Sequence, residues 1–139
     1  MASDAKLDLL RSIPLFSGLG KKEIQRLGQL ADEIDVPTGH VLMRQGDRGS
    51  EMFVIVSGKL AVERDGEALA ERGSGAVVGE IALLAEMPRT ATVTALEPTR
   101  LFLLSNREFR SLMDEMPSVR TAVFDVLASR ISALDPQAC

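Results

Sequence analysis

At 139 residues the chain has the length of one domain, and its 45% hydrophobic and 26% charged residues are typical of a globular protein. Its net charge of −4 argues against a nucleic-acid surface, which usually carries a basic excess. No apolar run approaches the roughly 18 residues of a membrane span, and no signal peptide is visible. The single cysteine, Cys139, excludes an intrachain disulfide, so we expect a reducing, cytoplasmic setting.

The one histidine, His40, restricts the enzyme classes open to the chain. It follows the turn residues Pro37–Gly39 and has no second His or Cys with which to share a metal. The chain has no Gly-x-Ser-x-Gly elbow, and metal-dependent hydrolysis usually needs a cluster of His and Asp. The sequence therefore predicts no metal site, no catalytic residue and no enzymatic activity.

Residues 1–31 are predicted to form a helical segment. Pro14 stops a first short helix, and the apolar residues from Ile24 to Ala31 recur at the spacing of an amphipathic helix. From Asp32 the hydrophobic period changes to two, which is typical of strands. Met52–Val56 is a continuous apolar run and predicts a strand that is buried on both faces.

The predicted strands continue to residue 105. Arg64–Gly66 has the composition of a tight hairpin turn, and Thr90–Ala95 alternates threonine with small or apolar residues. Many short strands separated by glycine turns are typical of a sandwich or barrel.

Two helices are predicted over 106–135, beginning after a capping signal at Ser105–Glu108 and separated by Pro117. An apolar stripe follows the second helix; its members are Val119, Val123, Val126, Leu127, Ile131 and Leu134. The stripe suits core packing, and it also suits a homodimer through the C-terminal helix. Only residues 135–139 follow, too few for a helix-turn-helix, so we expect no nucleic-acid partner.

One segment, Gly75–Val93, has the composition of an anion site. Gly79 follows a strand and opens a predicted helical turn from Glu80 to Leu84, whose free N–H groups can bind an anion. Arg89 adds a guanidinium suited to a phosphate. The Glu80 carboxylate would repel a phosphate. It therefore fits a ligand that also carries a sugar, because the carboxylate can accept a hydrogen bond from a sugar hydroxyl.

This segment resembles the phosphate-binding cassette of cyclic-nucleotide-binding domains, the family of the catabolite activator and the protein-kinase-A regulatory subunit. Val78–Leu83 is similar to the family's F-G-E-[LI]-A-L, and Pro88–Val93 to its P-R-[AST]-A-[TS]-V. Three further segments of the chain look like other motifs of the family; they are Phe16–Leu19, Gly39–Asp47 and Phe53–Gly58. Val78 departs from the family by replacing an aromatic residue.

The resemblance implies a mainly β fold, an eight-stranded antiparallel jelly roll over 32–105 that contains the cassette at 78–93. The helices at 1–31 and 106–135 would flank this β-roll. We expect residues 1–139 to form a single, stand-alone domain without a helix-turn-helix.

The resemblance also implies roles for the cassette residues. Arg89 would pair with the phosphate oxygens of a 3′,5′-cyclic nucleotide, and Glu80 would accept from the ribose 2′-OH. Backbone N–H groups for the sugar and phosphate would come from Gly79, Ile81 and Ala82.

Thr90 would place a hydroxyl near the phosphate, and Ala91 would keep the backbone close. Threonine at this position favours cGMP in the cGMP-dependent kinases, whereas bacterial members with Ser or Thr still accept cAMP. Thr90 therefore leaves the choice between cAMP and cGMP open, and the ligand expected for the domain is cAMP first and cGMP second. Val62, Val77 and Leu83 are expected to contact the base or form the hinge, and in this family the final helix commonly folds over the base.

The function expected from these implications is a cytoplasmic regulatory domain that binds a cyclic nucleotide and signals through its C-terminal helices to an unidentified effector protein. No cofactor is expected. Three alternatives stay open: a ligand-free interaction or dimerisation module, a fragment of a larger regulator or channel, and an enzyme such as a cyclic phosphodiesterase, against which the single histidine counts. Twelve Arg against four Lys indicates a GC-rich bacterial source.

Overall fold

The computed structural model describes residues 4–83 and 87–133, which divide into two compact units. One unit is made of residues 32–106 and the other of residues 4–31 with 107–133. The expectation of a single domain over 1–139 stays a prediction. Three residues named in the sequence analysis lie outside the described residues. They are Leu84, the predicted end of the helical turn, Leu134, a member of the apolar stripe, and the single cysteine, Cys139.

The 32–106 unit consists of short antiparallel strands joined by turns. The strands are β1 (Asp32–Val36), β2 (Val41–Met43), β3 (Arg48–Gly49), β4 (Glu51–Ser57), β5 (Leu60–Arg64), β6 (Glu67–Arg72), β7 (Val77–Val78), β8 (Met87–Pro88), β9 (Thr92–Ala95) and β10 (Thr99–Ser105). A four-residue 3₁₀ helix, Glu80–Leu83, lies between β7 and β8.

Eight of these strands form two four-stranded sheets, with orders β1-β10-β4-β7 and β2-β9-β5-β6. The other two, β3 and β8, form a two-residue ladder in which Arg48 pairs with Pro88 and Gly49 with Met87. The predicted mainly β architecture with antiparallel strands is confirmed, and the predicted eight strands are those of the two larger sheets. The short ladder was not predicted, because two residues are too few to show a period.

The central strand β4 is buried along most of its length, as its apolar run predicts. Met52, Phe53, Val54 and Ile55 are each at most 4% exposed. Successive side chains of a strand point to opposite faces. Phe53 and Ile55 accordingly join the core cluster of this unit, which also contains Leu60, Val62, Val78, Val93 and Leu101.

The second unit is helical. It contains α1 (Asp4–Arg11), a 3₁₀ turn (Pro14–Phe16), α2 (Lys21–Leu30), α3 (Asn106–Glu115, of which Asn106 belongs to the strand unit) and α4 (Pro117–Ala133). The rings of Phe16 and Phe109 lie 6.1 Å apart at its centre. An ion pair of 2.8 Å joins Arg26 to Glu115 at its surface. None of the helices within the described ranges has both the length and the apolarity to cross a membrane.

The apolar stripe predicted on α4 is partly described. Val119 and Val123 are fully buried, as core packing requires, and Val126 is half-buried. The side chains of Leu127 and Ile131 lie outside the described residues. Phe124, which is not part of the stripe, is 49% exposed.

Candidate functional site

The site begins where β7 ends. Gly79 has a φ of +77°, which glycine adopts at little cost, and it turns the chain from the strand into the 3₁₀ helix. A Cβ atom at this position would lie 2.7 Å from Arg89 Nη1 and 2.9 Å from the Glu51 carbonyl oxygen. Glycine is therefore required here both by the backbone conformation and by the closeness of Arg89.

Arg89 is held against the backbone of β3 and β4. Its guanidinium is half-buried, and Nη2 donates a hydrogen bond of 2.8 Å to the carbonyl oxygen of Glu51. A Cβ atom on Gly49 would lie only 1.8 Å from Arg89 Nε, so the arginine side chain lies directly over this glycine. Gly49 and Gly79 thus leave the space that the guanidinium occupies.

The surroundings of Arg89 make it suitable for binding an anion. Burial lowers the pKa of its guanidinium from the ordinary value, and the negative charge of Glu51 partly offsets this effect. The group stays protonated at neutral pH, since an arginine is not deprotonated in proteins. A partly buried positive charge gains most from an additional anionic partner, because screening by water is reduced there.

The backbone of Arg89 is fixed by the loop between β2 and β3. Its N–H donates to the carbonyl oxygen of Asp47 at 2.7 Å, and its own carbonyl accepts from the N–H of Gly46 at 2.8 Å. The N–H of Gln45 donates to Thr92 Oγ1 at 3.0 Å. Gln45–Asp47, part of the family motif Gly39–Asp47, thus holds the segment that carries the arginine in place.

The same loop is tied to the β5–β6 hairpin. The Gln45 amide donates to Asp65 Oδ1 and accepts from the Asp65 N–H, each at 2.8 Å. Asp65 has a φ of 54°, and this paired contact stabilises its left-handed conformation. Beside it, Arg64 Nε donates to the Thr90 carbonyl oxygen at 2.9 Å. The hairpin thus supports the segment that follows Arg89.

These elements enclose a cleft. Its lining residues are Met43, Gly79, Ala82, Met87, Pro88, Arg89, Thr90 and Ala91. Five of the seven predicted cassette residues are brought together there. Met43 and Met87 were not predicted as site residues; Met43 is only 5% exposed and is also part of the lining.

The other predicted residues lie outside this lining. Glu80 is the half-buried first residue of the 3₁₀ helix, and the side chain of Ile81 lies outside the described residues. Val62 is packed in the core opposite Val93, and Val77 pairs with Val54. The expected base or hinge contacts of these two valines, and of Leu83, stay predictions.

Sequence reasoning missed one further contact, at Leu83 and its neighbour in the 3₁₀ helix. The buried amide of Asn106 donates to the carbonyl oxygens of Ala82 and Leu83. The Ser105–Glu108 segment was predicted only as a helix cap, and no local pattern indicates a contact more than twenty residues away.

A family model described as "Cyclic nucleotide-binding domain" matches residues 33–116, which is more than half of the chain and includes the whole cleft. The chain belongs to the cyclic nucleotide-binding domain family. The resemblance noted in the cassette is thereby confirmed at the level of the family.

Curated proteins that are similar to this chain give the scale of the similarity. The chain is 31% identical over 125 residues to the putative potassium channel protein RPA4233 of Rhodopseudomonas palustris, covering 88% of this chain and 30% of that protein. It is 33% identical over 111 residues to the cyclic nucleotide-gated potassium channel mll3241 of Mesorhizobium japonicum, covering 80% of this chain and 31% of that one. The chain therefore spans about a third of the length of these two curated relatives.

Among solved structures, the fold is similar to the N-terminal domain of a transcriptional regulator from Streptomyces coelicolor. The two share 32% sequence identity with a TM-score of 0.84, and the match covers 91% of each chain. Within residues 4–83 and 87–133, no group of three or more His, Cys, Asp or Glu side chains could hold a metal ion.

Proposed function

We propose that this member of the cyclic nucleotide-binding domain family is a cytoplasmic regulatory domain that binds a 3′,5′-cyclic nucleotide in the cassette cleft, cAMP in preference to cGMP. The observation that carries the proposal is the half-buried Arg89 guanidinium, which lines one cleft with Gly79 and Ala82 of the cassette. Such a site offers a fixed positive charge and backbone N–H groups to one phosphate.

The binding step exchanges one partner of Arg89 for another. The guanidinium has five N–H donors, and Nη2 bonds to the neutral carbonyl of Glu51. A phosphate oxygen accepts from such donors more strongly than a carbonyl, because the bond is charge-assisted. Glu80 then accepts from the ribose 2′-OH, and Thr90 adds its hydroxyl beside the phosphate.

Occupancy is signalled by differential binding. A ligand can shift a conformational equilibrium only by its preference between the two states, typically about 1–3 kcal/mol. The C-terminal helices would present the change to an effector protein.

The test is calorimetric titration of the whole chain with cAMP and cGMP, with 5′-AMP as the control. We expect heat and one-site binding with a cyclic form, and no binding of 5′-AMP, whose open phosphate carries a second charge and needs more space. A thermal-shift measurement accompanies the titration in case the binding enthalpy is near zero. Neither heat nor a rise in Tm with either cyclic nucleotide would contradict the proposal.

The role of Glu80 gives a prediction that distinguishes sugar from phosphate recognition. Glu80→Gln is expected to weaken cAMP binding by about 1.5–3 kcal/mol, the range for a hydrogen bond to a charged group. Binding of 2′-deoxy-cAMP should not change, since this ligand has no 2′-OH to donate. Both affinities are measured by calorimetry, with Glu67→Gln on the exposed face of β6 as the matched control. Equal losses for both ligands would show that Glu80 does not recognise the ribose.

A second candidate function is a module that dimerises through α4 without a ligand. The observation that favours it is Phe124, an aromatic side chain that is 49% exposed on this helix. Sedimentation that shows a dimer, together with no response to nucleotide, would favour this function over the first.

A further inference from the structure

Three hydrogen bonds of Asn106 reach the 3₁₀ helix and Ser50, the residue between β3 and β4. Its side-chain Nδ2 donates to the carbonyl oxygens of Ala82 at 2.8 Å and Leu83 at 2.9 Å. Its backbone N–H donates to the carbonyl oxygen of Ser50 at 2.6 Å. The residue is only 5% exposed, so water does not substitute for these contacts at low cost.

The chemistry of an amide suits this position. Ala82 and Leu83 are the last two residues of the 3₁₀ helix, and the last carbonyls of a helix have no partner within it. The amide NH₂ group has two donors, so one side chain satisfies both carbonyls. An ionised carboxylate has no donor, and an apolar side chain would leave the two buried carbonyl oxygens without a hydrogen-bond partner among the described residues.

The partners of Asn106 lie in or beside the two groups that would bind the ligand, the 3₁₀ helix and the Arg89 guanidinium. Ala82 lines the cleft and belongs to the 3₁₀ helix whose N–H groups begin at Gly79. Ser50 lies between Gly49, over which the Arg89 side chain is placed, and Glu51, whose carbonyl accepts from Arg89. One residue therefore connects the 3₁₀ helix to the support of the guanidinium.

We infer that Asn106 is a positioning residue, which sets the spacing between the 3₁₀ helix and the Arg89 guanidinium so that both meet one phosphate. The inference rests on the proposed function and names a residue for it that does not itself touch the ligand. Asn106 acts through donor groups and not through the volume it fills.

The experiment compares the nucleotide affinities of two Asn106 variants. Their order shows whether Asn106 acts through its donor groups or through the volume it fills. Asn106→Leu keeps the same branched skeleton of four side-chain heavy atoms and has no donor, whereas Asn106→Ser leaves space but keeps one hydroxyl donor. Cyclic-nucleotide affinity of the folded full chain is measured for both by calorimetry. We expect roughly tenfold weaker binding for the leucine variant and a smaller loss for the serine variant, which follows from the cost of unmade buried hydrogen bonds.

Hydrogen exchange of the ligand-free proteins gives a second readout. The Ala82 N–H, which donates to the Gly79 carbonyl within the 3₁₀ helix, should exchange faster in the leucine variant than in the wild type. The matched control is Thr99→Val, which removes another buried polar group of this unit; the Thr99 hydroxyl bonds to Lys59 and Glu97. This control should lose stability without a loss of affinity.

The outcomes are distinct. Binding by the leucine variant equal to wild type, or weaker binding by serine than by leucine, would overturn the inference and leave the proposed function intact. If the wild type itself binds no cyclic nucleotide, the proposed function fails and the inference with it. Should the leucine variant not fold, Asn106→Ala takes its place, since alanine differs from serine only by the hydroxyl, and equal affinities of these two would overturn the inference.

Discussion

Replacing Arg89 with alanine is expected to weaken cyclic-nucleotide binding by about 2–5 kcal/mol, the cost of removing one partner from a partly buried charge pair. The loss is large because no other side chain of the described cleft lining is positively charged. Stability of the ligand-free protein should change little, since the guanidinium is desolvated and its one hydrogen bond within the described chain is to the Glu51 carbonyl. Calorimetry measures the loss of nucleotide affinity, and the denaturation midpoint measures the stability of the ligand-free protein.

The matched control for this substitution is Arg100→Ala. Arg100 is an exposed arginine of β10 that pairs with Asp35 at 3.0 Å, and neither residue lines the cleft. Its removal should leave nucleotide affinity at the wild-type value. If the Arg89→Ala variant binds the nucleotide as tightly as this control, the assignment of Arg89 to the phosphate site is wrong.

The second large loss of nucleotide affinity is expected when Gly49 is replaced with alanine. Gly49→Ala would place a Cβ atom 1.8 Å from Arg89 Nε and 2.1 Å from Cζ, so the arginine side chain must leave its place. The backbone itself tolerates alanine, because Gly49 does not have a positive φ. We expect nucleotide affinity to fall by about 1.5–3 kcal/mol, the range for a hydrogen bond to a charged group, because the displaced guanidinium no longer meets the phosphate, although residue 49 would not touch the ligand.

A double-mutant cycle identifies the cause of this loss. In an Arg89→Ala background the added methyl group has no arginine to displace, so Gly49→Ala should have no further effect on affinity. Gly73→Ala is the control, since Gly73 lies in the same unit and a Cβ atom there would meet its nearest neighbour at 4.0 Å. Additive effects of the two substitutions in the cycle would contradict the steric explanation.

Local patterns were sufficient to predict much of this protein. The apolar run Met52–Val56 predicted a buried strand, and β4 is indeed buried along most of its length. The V-G-E-I-A-L sequence placed Gly79 directly before the 3₁₀ helix. These features are encoded by neighbouring residues. A single sequence read by period and motif is adequate for them.

The residues that were missed depend on contacts between distant parts of the chain. Gly49 matters only because β3 pairs with β8 and brings Arg89 over it, forty positions further along the sequence. Asn106 has the sequence context of a helix cap, and its partners Ala82 and Leu83 are 24 and 23 residues away. Neither role leaves a local signal, since both follow from how the strands are arranged.

The closeness of Gly49 to Arg89 also has an evolutionary consequence. At position 79 the backbone conformation demands glycine whether or not a ligand is bound, but at position 49 only the arginine side chain does. In a relative that has lost the arginine, selection on position 49 is released and larger residues can accumulate there. Positions 49 and 89 should therefore change together across the family, and a glycine retained at 49 would mark those lineages that still use their arginine.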